Sequence, residues 1–394
     1  MYSGNKIFIG LLSLSLTLSI GSCVEPVVPE LDENDTQGIL VVDGIVTDQE
    51  GPFIVRLSTS IPVNALYTNN PVLYADVRIF DNAGNSYNLY GDQYGVYKTE
   101  DQTLRGIPGR SYTLSVTTPD GLQYESSSVL MQEAPEIDSL WFEEVTHTRL
   151  LENTPTEEKW LNIRLDSHDP AGMTRYWYFS FEETWEIRLP AENVPVEHSS
   201  PGSPSNITRE IISADPAKLV CWVTKPSSSV LIASTVNSSE DRIKNFPLNS
   251  IGPGTDKLHI RYSLLARQSA ISREQYEFLK QLRDINENSG GMFDQMPGRL
   301  FGNISCCGSG SGSSALGYFS AMQVHEKRIF VDNIEHHVET VSAYHGCLYY
   351  SFMHPMVPNY YFGDISGGGG EIYSSTEYCS DCRDYGTNVK PDFW

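Results

Sequence analysis

The chain has 394 residues, 40% hydrophobic and 20% charged, a balance that excludes wholesale disorder and a multi-span membrane protein. Lys and Arg total 27 against 50 Asp and Glu, a formal charge of −23. A surface that acidic repels phosphate backbones, so no nucleic acid is expected as a partner. The length predicts two or three folded units at a prior of roughly 150 residues per domain, and 22 Tyr, 31 Gly and 22 Pro favour strands and turns over a helical bundle.

Lys6 precedes an apolar run from Ile7 to Ile20 that is shorter than the about 20 residues a membrane span needs. The run ends in small residues, and Ile20-Gly21-Ser22-Cys23 resembles the bacterial lipobox. That resemblance implies cleavage after residue 22 and acylation of Cys23; the competing reading is an ordinary secretory peptide with a cysteine near its cut. Two or three chains, at about 0.8 kcal/mol per buried methylene, anchor a soluble domain stably. Residues 1–22 are thus read as a lipoprotein signal peptide. Residues 23–38, with Pro26, Pro29 and several acids, are read as lipid anchor and acidic tether lifting the fold from the lipid.

Residues 39–133 read as an all-β unit of about seven short strands: 39–46, 53–57, 77–80, 86–90, 95–98, 112–116 and 124–130. Asp81-Asn82-Ala83-Gly84-Asn85 is a turn, because Asn and Gly accept positive φ cheaply. The order of these segments resembles an Ig-like transthyretin or carboxypeptidase-regulatory sandwich, which implies a fold and no activity. Glu133-Ala134-Pro135-Glu136 marks a boundary, and 134–394 is expected to form a second, larger β-sandwich domain.

In that second domain strands are predicted at 137–145, 160–166, 175–182, 219–224, 230–234, 257–265, 316–321 and 341–351. Within the third, Trp177, Phe179 and Phe181 share one face and Tyr176, Tyr178 and Ser180 the other. Pro190 to Pro216 reads as a long surface excursion. One helix is predicted over 272–288: Ser272 and Gln275 form a capping box, Ile271 and Tyr276 a hydrophobic staple, and Phe278, Leu279, Leu282 and Ile285 an apolar face expected to pack on the second sheet. The tail from Gly367 is loop-rich and expected to be stapled by the last two cysteines.

With Cys23 set aside, six cysteines remain: Cys221, Cys306, Cys307, Cys347, Cys379 and Cys382. An even number outside the cytoplasm favours disulfides, whose pairing spacing does not rank. A zinc site is the competing reading, because Cys379 and Cys382 form one C-x-x-C, but a second such knuckle is missing.

Enzyme signatures are sparse. The run Gly308 to Gly312 misses the G-x-S-x-G spacing of a nucleophile elbow and reads as a flexible loop. His336, His337, His345 and His354 lie near Glu335 and Glu339, but on a strand His336 and His337 point to opposite faces and do not share one metal simply. Glu143-Glu144, Glu157-Glu158 and Glu182-Glu183 diverge in the same way and read as solvated faces, where a glycosidase needs carboxylates facing across a cleft. No metal, cofactor or catalytic residue is assigned. Tyr360, Tyr361 and Phe362 are candidate ligand-binding aromatics for a sugar or peptide.

Several segments then carry one resemblance: Leu40-Val41-Val42-Asp43-Gly44, Ile137-Asp138-Ser139-Leu140, Cys221-Trp222, Gly291-Met292-Phe293-Asp294, Gly302-Asn303-Ile304 and Leu316-Gly317-Tyr318-Phe319. With the ending Cys379 to Trp394, they make the mature chain similar to the Bacteroidetes lipoprotein family known as domain of unknown function 4249. The resemblance implies an outer-membrane, lipid-anchored, surface-exposed protein without catalysis, whose partner is a TonB-dependent transporter barrel that it aids in nutrient capture. It also marks Ser139 as a candidate O-glycosylation acceptor of the phylum's short motif. The alternatives are a free-standing glycan- or peptide-binding lipoprotein and, third, a metal-dependent hydrolase using the late His and Glu residues.

Overall fold

A computed structural model describes residues 38–61, 70–100, 104–151, 154–189, 193–199, 207–213, 216–288, 300, 302–307, 315–343, 350–351, 360–362, 373–375 and 381–394. The signal peptide, Cys23 and the tether lie outside these residues. The chain is mainly β, as expected.

The first unit opens with β1 (Leu40–Thr47), β2 (Ile54–Thr59), β3 (Asp76–Asp81), β4 (Ser86–Gly91), β5 (Val96–Thr99), β6 (Ser111–Thr117), β7 (Gln123–Ser126) and β8 (Val129–Leu130). Alternation dictates the layers: Leu40, Val42 and Val46 of β1 point inward, as do Val77 and Ile79 of β3 and Tyr112, Leu114 and Val116 of β6. All belong to one core, so the sheet curls over itself in a sandwich-like arrangement.

Later in the chain, β9 (Ile137–Leu151) and β10 (Thr154–His168) form a long hairpin, and β11 (Tyr176–Arg188) follows. Then come β12 (Asn193–Ser199), β13 (Ile207–Ser213), β14 (Val220–Pro226), β15 (Leu231–Ser234), β16 (Arg242–Ile251), β17 (Arg261–Ala270) and the helix α1 (Arg273–Asn288). A three-stranded sheet, β16-β10-β9, faces a sheet in which β11 is flanked by β14 and β15 on one side and β17 on the other. Leu161, Ile163 and Leu165 of β10 meet Trp177, Phe179 and Phe181 of β11 and Leu264 and Ala266 of β17 between them. β12 and β13 pair with each other, so the stretch expected to be a plain surface excursion carries a hairpin.

The boundary near Pro135 does not partition the fold into two contiguous pieces. β18 (Ile304–Cys306) pairs with β7, and β19 (Leu316–Met322) pairs in parallel with β1, so both complete the first sheet. β20 (His325–Asp332) then returns to the second unit beside β17. Asn303 closes the first sheet where its ends meet: its side chain donates to the Phe319 carbonyl and accepts from the Phe319 N–H, both at 2.9 Å. Val341 to Ala343, expected as a strand, carry no strand in the structure. Short strands β21 (Tyr350–Ser351), β22 (Tyr360–Phe362) and β23 (Tyr373–Ser375) form a small separate sheet.

The last residues cross the outer face of the second unit as a strap. Cys382 is bonded to Cys221 of β14. Thr387 exchanges both backbone hydrogen bonds with Trp222, at 2.8 and 3.0 Å. Trp394 donates its indole N–H to Glu186 at 3.2 Å. The Arg261 guanidinium lies 4.6 Å from the Phe330 ring centre and 5.6 Å from that of Trp394, and Arg328 lies 3.4 Å from that of Phe393. Burial holds the Arg328 guanidinium below the usual arginine range.

Candidate functional site

Two polar or aromatic assemblies stand out, and the strand period builds both. On β11 the odd positions that bury Trp177, Phe179 and Phe181 continue to Glu183 and Trp185. Glu183 therefore enters the interior, while Glu182 faces outward toward Arg267. This corrects the reading of Glu182-Glu183 as a wholly solvated pair. The Glu183 carboxylate accepts from the Tyr262 hydroxyl and the Asn249 amide at 2.7 Å each and from the Lys257 ammonium at 2.6 Å. Burial first, and the Glu183 charge second, push the Tyr262 phenol well above its ordinary range, so it serves as a fixed donor. Lys257 also lies 5.5 Å from the Trp185 ring centre, whose N–H donates to Asp256 at 3.0 Å. Each carboxylate oxygen has a donor, as a structural network requires.

The even positions of β11 form the second assembly, a tyrosine seam with α1. Ser272 accepts from the Gln275 N–H at 3.2 Å, which starts the helix as predicted. The Gln275 side chain, expected to complete the capping box, instead reaches the first unit, donating to Ser320 at 3.0 Å and approaching the Met322 sulfur at 3.4 Å. Tyr276 packs on Tyr176 and Phe278 on Tyr318, with ring centres 5.0 Å apart in each pair. The helix thus joins both units rather than resting on the second sheet alone. Burial, then the Asp43 carboxylate, raises the Tyr178 phenol; burial also raises Tyr318, where the Ser272 hydroxyl opposes it and Glu274 adds to it. These phenols stay protonated, and the rings are spent on holding the helix.

The remaining candidates disperse. His336 is buried, with Nδ1 accepting from the Val338 N–H and Nε2 within 3.2 Å of the Leu258 carbonyl. His337 turns away to Glu144 at 2.9 Å, so the two histidines diverge, although they follow a short 3-10 turn and lie on no strand. Glu143 pairs with Arg164, away from Glu144. Among the described residues no three His, Cys, Asp or Glu groups are placed to hold a metal. Ser139 lies half-buried on β9 and donates to Asp166 at 2.8 Å.

The cysteine expectation divides. Cys221 and Cys382 are bonded, which ties the tail to β14 through one of its two cysteines, while Cys379 lies outside the described residues. Cys306 and Cys307, both offered as disulfide candidates, carry free thiols. Adjacent residues on a strand point to opposite faces, and Cys306 packs against the first core while Cys307 is exposed. The side chains of Cys347, Cys379, Tyr360, Tyr361 and Phe362 lie outside the described residues, as do His345, His354 and Gly308 to Ser314.

Sequence reasoning missed the Glu183 network, although the phase of Trp177, Phe179 and Phe181 already announced it. No local signal marks the seam, because its rings come from β11, α1 and β19. Among the described residues no helix is long and apolar enough to cross a membrane. The model of one family, described as Domain of unknown function (DUF4249), matches residues 24–328. The match includes the first core, α1 and most of the second core, and stops within β20, before Val331, Val338 and Cys382 of that core and before the strap. No curated protein matches the chain.

Proposed function

As the chain belongs to the family of the domain of unknown function 4249, we propose that it is a non-enzymatic outer-membrane lipoprotein, held by acylated Cys23, that serves as an accessory subunit of a TonB-dependent transporter. The observation that carries this reading is where the reactive side chains go among the described residues. Glu183, the most enclosed of the paired acids, is held by Tyr262, Asn249 and Lys257, and His336 by Leu258 and Val338. These groups serve the interior of the fold, whereas acid–base catalysis needs groups within reach of a substrate's proton. A rigid ectodomain beside a barrel needs what this chain has: two cores, a helix linking them and a clasped terminus.

The lipobox resemblance of residues 20–23 supports the anchor in this reading, and the transporter is what the resemblance of the chain's motifs implies. The test is purification of the full chain from detergent-solubilised outer membranes at native expression. Recovery of a barrel transporter in stable association supports the proposal. Recovery of the chain alone, with Cys23 acylated, overturns the partnership and leaves only the anchor.

A further inference from the structure

The three exposed tyrosines among the described residues are Tyr74, Tyr90 and Tyr94, with relative exposures of 90%, 60% and 66%. Strand register brings all three to one end of the first unit. Tyr90 lies near the end of β4, and Tyr94 in the turn from β4 to β5. Val77 pairs with Leu89 and Gly91 with Tyr97, so the start of β3, and Tyr74 before it, sit at that same end. Asp76 pairs with Thr117, which adds the turn carrying exposed Leu122.

The chain enters the fold at this end too. Leu40 pairs with Thr59 and Arg56 with Val96, so the start of β1 lies beside the β4–β5 turn. Gly38, the first described residue, donates to the Ser60 carbonyl at 3.1 Å. From Cys23 to Gly38 is 15 residues, a contour of at most roughly 50 Å, which sets the greatest distance of the tip from the lipid. An acylated Cys23 therefore keeps this tip within reach of the bilayer.

The tip is built to present rings. Tyr74 adopts φ +60°, a left-handed conformation rare for an aromatic residue. Its neighbours are pinned, because the Tyr97 hydroxyl accepts from the Ala75 N–H and donates to the Val72 carbonyl, each at 2.9 Å. Whereas Tyr176 and Tyr276 spend their rings on each other, no described ring lies over Tyr74, Tyr90 or Tyr94. The acids nearby are exposed, each with a local partner: Asp76 pairs with Arg78 at 2.6 Å, Asp92 accepts from the N–H groups of Tyr94 and Val96, and Asp120 from the Thr118 hydroxyl, so these carboxylates lie at the rim beside the rings.

We propose that this tip, formed by Tyr74, Tyr90, Tyr94 and Leu122, rests in the headgroup layer of the bilayer that holds Cys23. Tyrosine suits that layer because its ring is apolar and its hydroxyl stays wet. The tip then fixes which way the ectodomain faces beside a membrane partner. This inference rests on the lipid-anchor reading above.

The test uses the full, processed chain in vesicles of phosphatidylethanolamine and phosphatidylglycerol, with and without brominated acyl chains. Tyr94→Trp and Tyr74→Trp each add an emission component over the parent protein, and Leu130→Trp does the same at the opposite end of the unit. The expected result is a blue shift and loss of the added emission at positions 74 and 94, with none at 130. Mass analysis of the N-terminal peptide runs alongside. Acylated Cys23 without quenching at the tip overturns the tip proposal alone, and equal quenching at 130 overturns it as well. An unacylated Cys23 overturns the anchor reading and this inference together. Retention on immobilised glycan, lost in Tyr74→Ser with Tyr94→Ser and unaccompanied by lipid quenching, reassigns the tip to carbohydrate and overturns the membrane assignment.

Discussion

Two glycines within the motifs that carried the family resemblance hold the first sheet together by close backbone approach. Gly317 has φ +92°, and a Cβ there would sit 1.9 Å from the Val42 carbonyl oxygen; a Cβ on Gly302 would sit 1.5 Å from the Gly317 oxygen. Nothing but hydrogen fits at either position. Gly317→Ala should therefore destabilise the chain by about 3 kcal/mol or more, since it combines backbone strain with a clash against main chain. The urea midpoint reads this directly. A second residue-scale expectation concerns Asp169. Burial acts to raise its carboxyl pKa, but the N–H groups of Thr174, Ala171 and Met173 and the Thr174 hydroxyl outweigh it and hold the value below the ordinary range. The folded value is thus lower than the unfolded one. The stability that Asp169 contributes is complete above the unfolded pKa of about 3.9 and disappears as pH falls through the folded value. Urea midpoints followed into acid should fall less steeply for Asp169→Asn than for the parent, from a lower starting point at neutral pH.

Elements differ in how openly their residues declare them. Strands β1 to β6 lie within a residue or two of expectation, because each alternates cleanly between turn-forming residues. The helix was equally legible from Ser272 and the spacing of Phe278, Leu279, Leu282 and Ile285. β16 was not: Pro247 interrupts it, Asn245 takes φ +54°, and its pairing with β10 shifts register. Such irregularities suit an edge strand and erase the alternation that sequence reading depends on. β20 escaped for another reason. His325-Glu326-Lys327-Arg328 is too charged to suggest a strand, yet its outer face is covered by the strap, where Phe393 and Trp394 meet Arg328, Arg261 and Phe330. The strap is fastened by Cys221–Cys382 across a sequence separation of 161. Closing so long a loop restricts the unfolded chain, so Cys382→Ala should cost about 2–4 kcal/mol. It should also expose residues 383–394 to protease, with mass analysis of the fragments as the readout.

At the scale of the whole molecule, the chain leaves the first unit near Pro135 and returns with β18 and β19. Ile304, Phe319 and Ala321 belong to the first core. A fragment of residues 39–133 alone therefore lacks part of its interior and leaves β1 and β7 unpaired on their open edges. It should bind an apolar dye and show no cooperative thermal transition, whereas a self-contained sandwich would melt cooperatively. Contiguous domains were the natural reading of composition, since no local pattern records that residues 275 positions downstream pair with β1. The same limit hid the seam and the tyrosine tip, whose members are brought together by register. The net −23 belongs to the chain as a whole, and at the tip it is represented by exposed Asp92 and Asp120, while Asp76 is paired with Arg78.

Whether this chain is a lipid-anchored accessory of a transporter is decided by native mass spectrometry of the complex released from outer membranes at native expression. The expected particle contains this chain, acylated at Cys23, and one barrel transporter, with the association lost when Cys23→Ala prevents anchoring. A particle holding the acylated chain alone would contradict it.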